Sequence, residues 1–168
     1  SNLKRVIDQP DFLLDAIERL RNQMLVGIRQ KQQSPAQLAS EAFFAALYGD
    51  HPYAYPSEGT EESLQGLTRE KIISFHKQYY VAANAIVAMV GDISRQQAQK
   101  LVDDLMADIP AGKKATALPD VPALTEAKQV HVEHPSTQTH VLIGQLGIKR
   151  GDSDYFPLYV GNHVLGGG

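Results

Sequence analysis

The strongest constraint on the fold is one apolar stripe of helical period near the start of the chain. Apolar residues recur at intervals of three and four between positions 13 and 28, while charged and amide side chains fill the other faces. A helix with such a stripe is stable only when the stripe packs against another layer. We therefore predict a long helix over residues 8–33 with an inward face of Leu13, Ile17, Leu20, Met24, Gly27 and Ile28.

Further helices are indicated by residues that favour helix starts. Ser34 is followed by Pro35, and Thr68 and Ser94 each precede a stretch with apolar residues at helical spacing. Hydroxyl side chains stabilise the first turn as N-caps, and proline fits the first helical position. The predicted helices cover residues 35–49, 69–80, 95–107 and 152–168, with a short turn or helix after Thr60.

Three short segments have the composition of strands. Residues 85–90 read AIVAMV and end in Gly91-Asp92, a short β-branched run typical of a buried strand. Residues 129–133 and 139–145 alternate polar and apolar side chains. Helices and strands in separate stretches predict the α+β class.

A proline-rich stretch divides the chain. Residues 109–125 contain three prolines and the pair Lys113-Lys114, which is typical of an extended linker. We expect residues 1–108 to belong to one domain and residues 126–168 to another. The chain begins with Ser1 and shows no signal-like segment, so we expect it to be a section of a longer protein.

Composition and charge exclude several classes of function. Hydrophobic residues make up 43% and charged residues 21%, with a net charge of −3, so nothing attracts the chain to nucleic acid or anionic lipid. No apolar run reaches the ~20 residues that span a membrane. The chain has no cysteine, which rules out disulfides, thiolate nucleophiles and cysteine zinc ligands within it.

One histidine-rich segment suggests a metal site. His131 and Glu133 would share one face of a strand, while His134 would point to the other face. Only a kink at His134-Pro135, with His140 returning on the partner strand, would gather three ligands. The alternative is a pair of strands with these side chains facing solvent.

Other chemically interesting residues have two interpretations each. His51, with Tyr53 and Tyr55, could bind a ligand or could organise a loop between helices by packing its rings. His76 fits a surface or half-buried position better than an acid or base. Solvated faces are expected for the carboxylate pairs Asp103-Asp104 and Glu61-Glu62, and a helix end for the glycine run at residues 166–168.

Several segments in order resemble one family. They are LYGDHPY at residues 47–53, GTEESL at 59–64, LTRE at 67–70, YY at 79–80, NAIVAMVGDI at 84–93 and GNHVLGG at 161–167. Together they resemble the M16 zinc metallopeptidases, the family of insulinase and the mitochondrial processing peptidase. The resemblance covers essentially the whole chain.

The resemblance implies a fold and a zinc site. The fold is a two-layer α+β domain of the M16 (LuxS/MPP-like) type, and this chain would span the end of one domain and the start of the next. Family catalysis uses His-x-x-Glu-His and a distant Glu as third zinc ligand. The motif is absent here and is expected upstream of this segment. The third ligand is expected eight residues before Pro35, where the sequence has Gly27.

The resemblance therefore predicts no catalytic residue and no metal ligand in this segment. Glu18 is nine residues from Gly27 and off the apolar stripe, so it does not replace the missing side chain. We expect a non-catalytic M16 subunit that shapes a peptide-binding chamber. Its expected partners are a catalytic M16 sister subunit or homologous domain and a peptide substrate. Zinc belongs to the family and is not expected on this segment.

Two other functions stay open at this stage. One is an active zinc metalloendopeptidase with its motif upstream and a third ligand from elsewhere, and the other is a non-proteolytic scaffold of the respiratory-complex core type. The residues do not define a compartment. The type of family member that the chain resembles suggests a bacterial periplasm or cell envelope.

Overall fold

The computed structural model describes the backbone of residues 2–166 and the side chains of residues 4–166. In this part of the chain α-helices account for most of the regular structure, with short 3-10 turns at Pro52–Ala54 and Ala82–Asn84. The helices are α1 (Asn2–Asp8), α2 (Leu14–Lys31), α3 (Pro35–Tyr48), α4 (Glu61–Gln65), α5 (Arg69–Tyr79), α6 (Arg95–Met106) and α7 (Tyr155–Gly166).

The long helix predicted over residues 8–33 is wrong at its start. The chain leaves helical geometry after α1, and α2 begins only at Leu14. Phe12 adopts φ of 47°, a left-handed conformation that is unfavourable for a bulky side chain. Arg69 holds this break in place, because its guanidinium donates to the carbonyls of Phe12 at 2.8 Å and Asp11 at 3.2 Å.

The helix starts follow the local sequence closely. The Thr68 hydroxyl accepts a hydrogen bond from the Lys71 N–H at 3.3 Å, and Ser94 accepts from the Gln97 N–H at 3.3 Å. Pro35 occupies the first turn of α3 as predicted, although the Ser34 side chain makes no capping hydrogen bond. These bonds satisfy N–H groups that have no partner within the helix.

The predicted α+β class is not confirmed. In the residues that the structure describes, no two segments form a strand ladder, and residues 85–90, 129–133 and 139–145 all run without one. Ile86 is 95% exposed and Val90 is fully exposed. The physical reason is that a strand exists only with a partner, since its backbone hydrogen bonds go to a neighbouring chain segment.

The described chain divides into two compact units. The first unit combines the chain up to Lys31 with Ser57–Leu118, and the second combines Gln32–Pro56 with the chain from Pro119 onward. In the first unit α2 packs on α4 and α1 on α6, and the buried apolar side chains are Leu64 and Val81. In the second unit α3 packs on the Pro52–Ala54 turn, and His51 is buried beside it.

The predicted inward stripe of α2 is largely uncovered. Leu20 and Met24 count among the exposed large hydrophobic side chains, and Ile17 and Ile28 are half-buried. No helix within residues 2–166 combines the length and apolar character needed to cross a lipid bilayer. The predicted domain limits at residues 108 and 126 stay predictions.

Candidate functional site

The position expected for a third zinc ligand lies in the interior of α2. Gly27 is half-buried there, and α2 continues for four residues beyond it to Lys31. A Cβ atom added at Gly27 would meet no other atom within 4 Å. The site therefore has room for a side chain but contains no donor atom at this position.

Two carboxylates on or beside α2, Glu18 and Glu61, are paired with cations. Glu18 lies 2.5 Å from the Arg21 guanidinium on the same helix. Across the contact between α2 and α4, Arg29 donates two hydrogen bonds of 3.3 Å to the Glu61 carboxylate. Neither of these ion pairs involves residue 27.

The Lys31–Glu58 ion pair lies at the C-terminal end of the same helix. The Lys31 ammonium lies 2.5 Å from Glu58, which also accepts from the Ser57 hydroxyl at 3.1 Å. The hydrogen bond from Lys31 is the main cause that lowers the pKa of Glu58, followed by its own backbone and by Ser57. Lys31 lies in the last turn of α2, where a positive charge is favourable.

The described residues do not offer a donor set that fits zinc. Among them, no three His, Asp or Glu side chains converge in a group that could hold a metal ion. His131 and Glu133 do come together as predicted, with 3.0 Å between Nε2 and Oε2, but both side chains are exposed. His134 and His140 do not join them, so the three-ligand arrangement is not formed.

His51 occupies a buried position among aromatic rings. It is 4% exposed, and its ring centroid lies 4.6 Å from Tyr53 and 6.3 Å from Tyr48. Tyr48 in turn stacks on Phe44 at 6.1 Å. Tyr53 and Tyr55 are both exposed, at 56% and 64%. The buried His51 ring is therefore in line with the structural interpretation, whereas Tyr53 contacts this ring and stays exposed.

The hydrogen bonds of His51 indicate which ring nitrogen carries the proton. Nδ1 accepts the Tyr53 N–H at 3.1 Å, so this nitrogen carries no proton. Nε2 lies 3.0 Å from the carbonyl oxygen of Pro119, so it carries the proton and donates it. Both nitrogens are engaged, and His51 can bind a metal or accept a substrate proton only by breaking one of these contacts.

His76 is also engaged within the fold. Its Nε2 lies 2.8 Å from the Ile7 carbonyl, and its ring stacks on Tyr80 with 4.6 Å between centroids. Phe12 meets it edge-on at 5.5 Å. His76 is half-buried and connects α5 with α1, through Ile7, and with Phe12 in the segment between α1 and α2.

The remaining predicted positions do not form a site. Asp103 accepts from Gln99 at 2.9 Å and lines a shallow depression on the side of α6 together with Arg95, Gln96 and Lys100. Glu62 and Asp104 are exposed residues on helices, as expected for solvated faces. The predicted glycine run begins at Gly166, the last residue of α7, and its other members lie outside the described residues.

Sequence reasoning missed the residues that hold the proline-rich segment. The Asn84 amide accepts the Ala115 N–H at 2.8 Å and donates to the Tyr79 carbonyl at 3.1 Å. The Lys149 ammonium lies 2.6 Å from Asp120, which raises the pKa of Lys149 and lowers that of Asp120. The partners are 31 and 29 residues apart, and no local pattern indicates such pairs.

Comparison with known proteins gives a family match and a solved structure. Residues 66–168 match the family described as "Peptidase M16 inactive domain". A crystal structure of a peptidase M16 inactive domain from Pseudomonas fluorescens is similar to this chain, with a TM-score of 0.88 and 36% sequence identity. The similarity covers 98% of this chain and 40% of the Pseudomonas chain.

Curated relatives are longer bacterial proteins. An uncharacterized zinc protease of Mycobacterium leprae is 31% identical over 163 residues, which are 92% of this chain and 36% of that protein. An uncharacterized zinc protease of Bacillus subtilis is 26% identical over 156 residues, 90% of this chain and 36% of that protein. The chain thus spans about a third of the length of these relatives.

Proposed function

Because this chain belongs to the peptidase M16 family, we propose that it is part of a non-catalytic M16 subunit. In this role it forms part of the wall of a peptide-binding chamber, and hydrolysis takes place on a zinc-bearing sister chain. The observation that carries the proposal is Gly27, which stands where the family resemblance expects the third zinc ligand.

The surroundings of Gly27 support this interpretation. A zinc site for hydrolysis needs three protein ligands and an open position for water. Without a donor at residue 27, two upstream histidines would be left to hold the metal. Glu61 and Glu58, which contact the C-terminal part of α2, are not free to substitute because they are paired with Arg29 and Lys31.

The nature of the matched family and structure also supports it. Both the family description and the Pseudomonas structure carry the words "inactive domain". In a two-domain or two-chain enzyme, an inactive domain retains the fold and contributes binding surface. Fold and function separate in this way because activity depends on a few site residues that the fold does not require.

The partner part of the proposal rests on residues 85–90. This run is apolar on both faces, and its Ile86 and Val90 side chains lie almost wholly in solvent. Covering a single large aliphatic side chain contributes about 1.5–3 kcal/mol, so these two alone favour association by about 3–6 kcal/mol. We propose that the run pairs with a β-strand of further M16 polypeptide, which would complete the α+β fold.

An active zinc endopeptidase is the second candidate. The Mycobacterium leprae and Bacillus subtilis relatives are both named zinc proteases. This candidate requires His-x-x-Glu-His outside the segment and a third ligand that does not come from residue 27.

Peptide hydrolysis by the full-length protein separates the two candidates. The protein, a catalytic M16 chain from the same organism, and their mixture are assayed on a fluorogenic peptide library with and without a zinc chelator. We expect no chelator-sensitive hydrolysis by the protein alone and faster hydrolysis by the mixture than by the catalytic chain alone. Chelator-sensitive hydrolysis by the protein alone would establish the second candidate.

An Ile86→Asp variant tests the strand-pairing part, with Gln99→Asp on the exposed side of α6 as the matched control. We expect Ile86→Asp to abolish the stimulation in the mixture and Gln99→Asp to leave it unchanged. Equal stimulation by both variants would refute the proposed pairing of residues 85–90.

A further inference from the structure

The start of the proline-rich stretch, residues 109–125, is bonded to the first unit. The Ala82 N–H donates to the Pro110 carbonyl at 2.8 Å, and the Ala83 N–H donates to the Ala111 carbonyl at 3.0 Å. Two successive hydrogen bonds in the same direction hold the stretch alongside the Ala82–Asn84 turn. Residues 110 and 111 are therefore fixed to the end of α5.

Packing and a side-chain bond extend this first anchor to residue 115. Gly112 has φ of +61°, and a Cβ built there would lie 2.3 Å from the Cβ of Val81. The backbone at Gly112 thus lies directly on Val81, one of the buried apolar side chains. Three residues later, the Ala115 N–H donates to the Asn84 side-chain oxygen at 2.8 Å.

A second anchor holds the same stretch to the second unit. The His51 ring donates to the Pro119 carbonyl at 3.0 Å, and His51 is itself oriented by the Tyr53 N–H. The next residue, Asp120, is paired with Lys149 at 2.6 Å. The His51 contact is the stronger constraint, because its ring is buried whereas the Asp120 pair is exposed.

Residues 116–118 lie between the two anchors. All three are exposed, and within the described chain they take part in no hydrogen bond. The chain passes from the first unit to the second directly after Leu118. We propose that residues 110–120 form a strap that is held at residues 110–115 and at residues 119–120, with residues 116–118 as its movable joint.

The contacts at both anchors shorten the part of the stretch that is free to move. A free coil of about 17 residues has a mean end-to-end distance of roughly 23 Å and samples a broad range of lengths. The four Cα–Cα steps from Ala115 to Pro119 span at most about 14 Å when fully extended. The hydrogen bonds from Asn84 and His51 therefore reduce the free part of the stretch to residues 116–118.

Amide hydrogen exchange in the purified full-length protein tests the first clamp. We expect the Ala115 amide to exchange at least tenfold more slowly than the amides of residues 116–118. In Asn84→Ala the Ala115 amide should exchange as fast as theirs, while Asn84→Asp, which keeps an oxygen acceptor, should retain the protection. Equally fast exchange across residues 111–118 in the unaltered protein would overturn the proposal.

Limited digestion with elastase tests the joint, because alanines lie at 111, 115 and 117 within the strap. The first cut inside the strap should follow Ala117 in the unaltered protein. In Asn84→Ala we expect cutting after Ala115 to become as fast as cutting after Ala117. A first cut after Ala111 or Ala115 in the unaltered protein would refute the clamped joint, and this result does not depend on whether the Asn84 variant folds.

Discussion

Replacing Gly27 by alanine tests how the protein uses the position where a zinc ligand is expected. Alanine is favoured over glycine in a helix interior by about 0.8–1 kcal/mol. The full gain is available at Gly27 because an added Cβ would meet no atom within 4 Å and the residue lies well inside α2. We expect Gly27→Ala to raise the free energy of unfolding by about 0.5–1 kcal/mol, which corresponds to a Tm increase of about 1–4 °C.

The assay is urea unfolding followed by circular dichroism, with a shift in midpoint and an unchanged m-value. Gly112→Ala is the matched control, since its Cβ would lie 2.3 Å from Val81 and its φ is +61°. There we expect a loss of about 2–4 kcal/mol from overpacking and left-handed strain. If Gly27→Ala destabilises the protein, another element packs closely on Gly27, and the glycine serves that contact instead of marking a lost ligand.

Three further predictions concern local stability. Ser94→Ala should remove the capping box at the start of α6 and lower the free energy of unfolding by about 1 kcal/mol, whereas Ser94→Asp should restore most of it in the same urea assay. The pKa of Glu58 is lowered, so its contribution to stability is present above the unfolded-state pKa near ~4.3 and is lost as pH falls through the lower folded-state pKa. Glu58→Gln should therefore make Tm fall less steeply as the pH is lowered. An unchanged acid limb of the Tm–pH curve would contradict the pairing with Lys31. His51→Ala should cost about 1–3 kcal/mol, because it removes two hydrogen bonds and an aromatic contact, and a neutral effect in urea unfolding would contradict the structural role of His51.

Helix positions could be predicted because their signals are local. The hydroxyls of Thr68 and Ser94 lie three residues from the N–H groups that they accept from. The proline at residue 35 fits the first turn without a partner N–H. The N-cap hydrogen bonds and the proline in the first turn involve only residues close together in sequence, so neither depends on distant parts of the chain.

Two features of the fold depend on distant residues and were not predictable in the same way. The break between α1 and α2 is held by Arg69, 57 residues from Phe12. The periodicity of the apolar stripe gave no sign of this break. Residues 85–90 have the composition of a buried strand, but composition does not supply the neighbouring strand that a ladder needs.

The candidate site shows the same difference between local contacts, which could be predicted, and distant contacts, which could not. The contact between His51 and Tyr53 could be predicted, since the two residues are only two positions apart. That His51 also holds the Pro119 carbonyl could not, because 68 residues separate them. The expectation of a zinc ligand at residue 27 comes from the family resemblance and not from any pattern within the chain.

The most direct test of the account is the zinc content of the full-length protein, purified alone without added metal. Elemental analysis by mass spectrometry should give essentially no zinc per chain, and a Gly27→Glu variant made in the same background should bind more zinc if the upstream histidines are present. About one zinc per chain in the unaltered protein would contradict the account, because the third ligand would then come from another residue and the protein would carry its own metal centre.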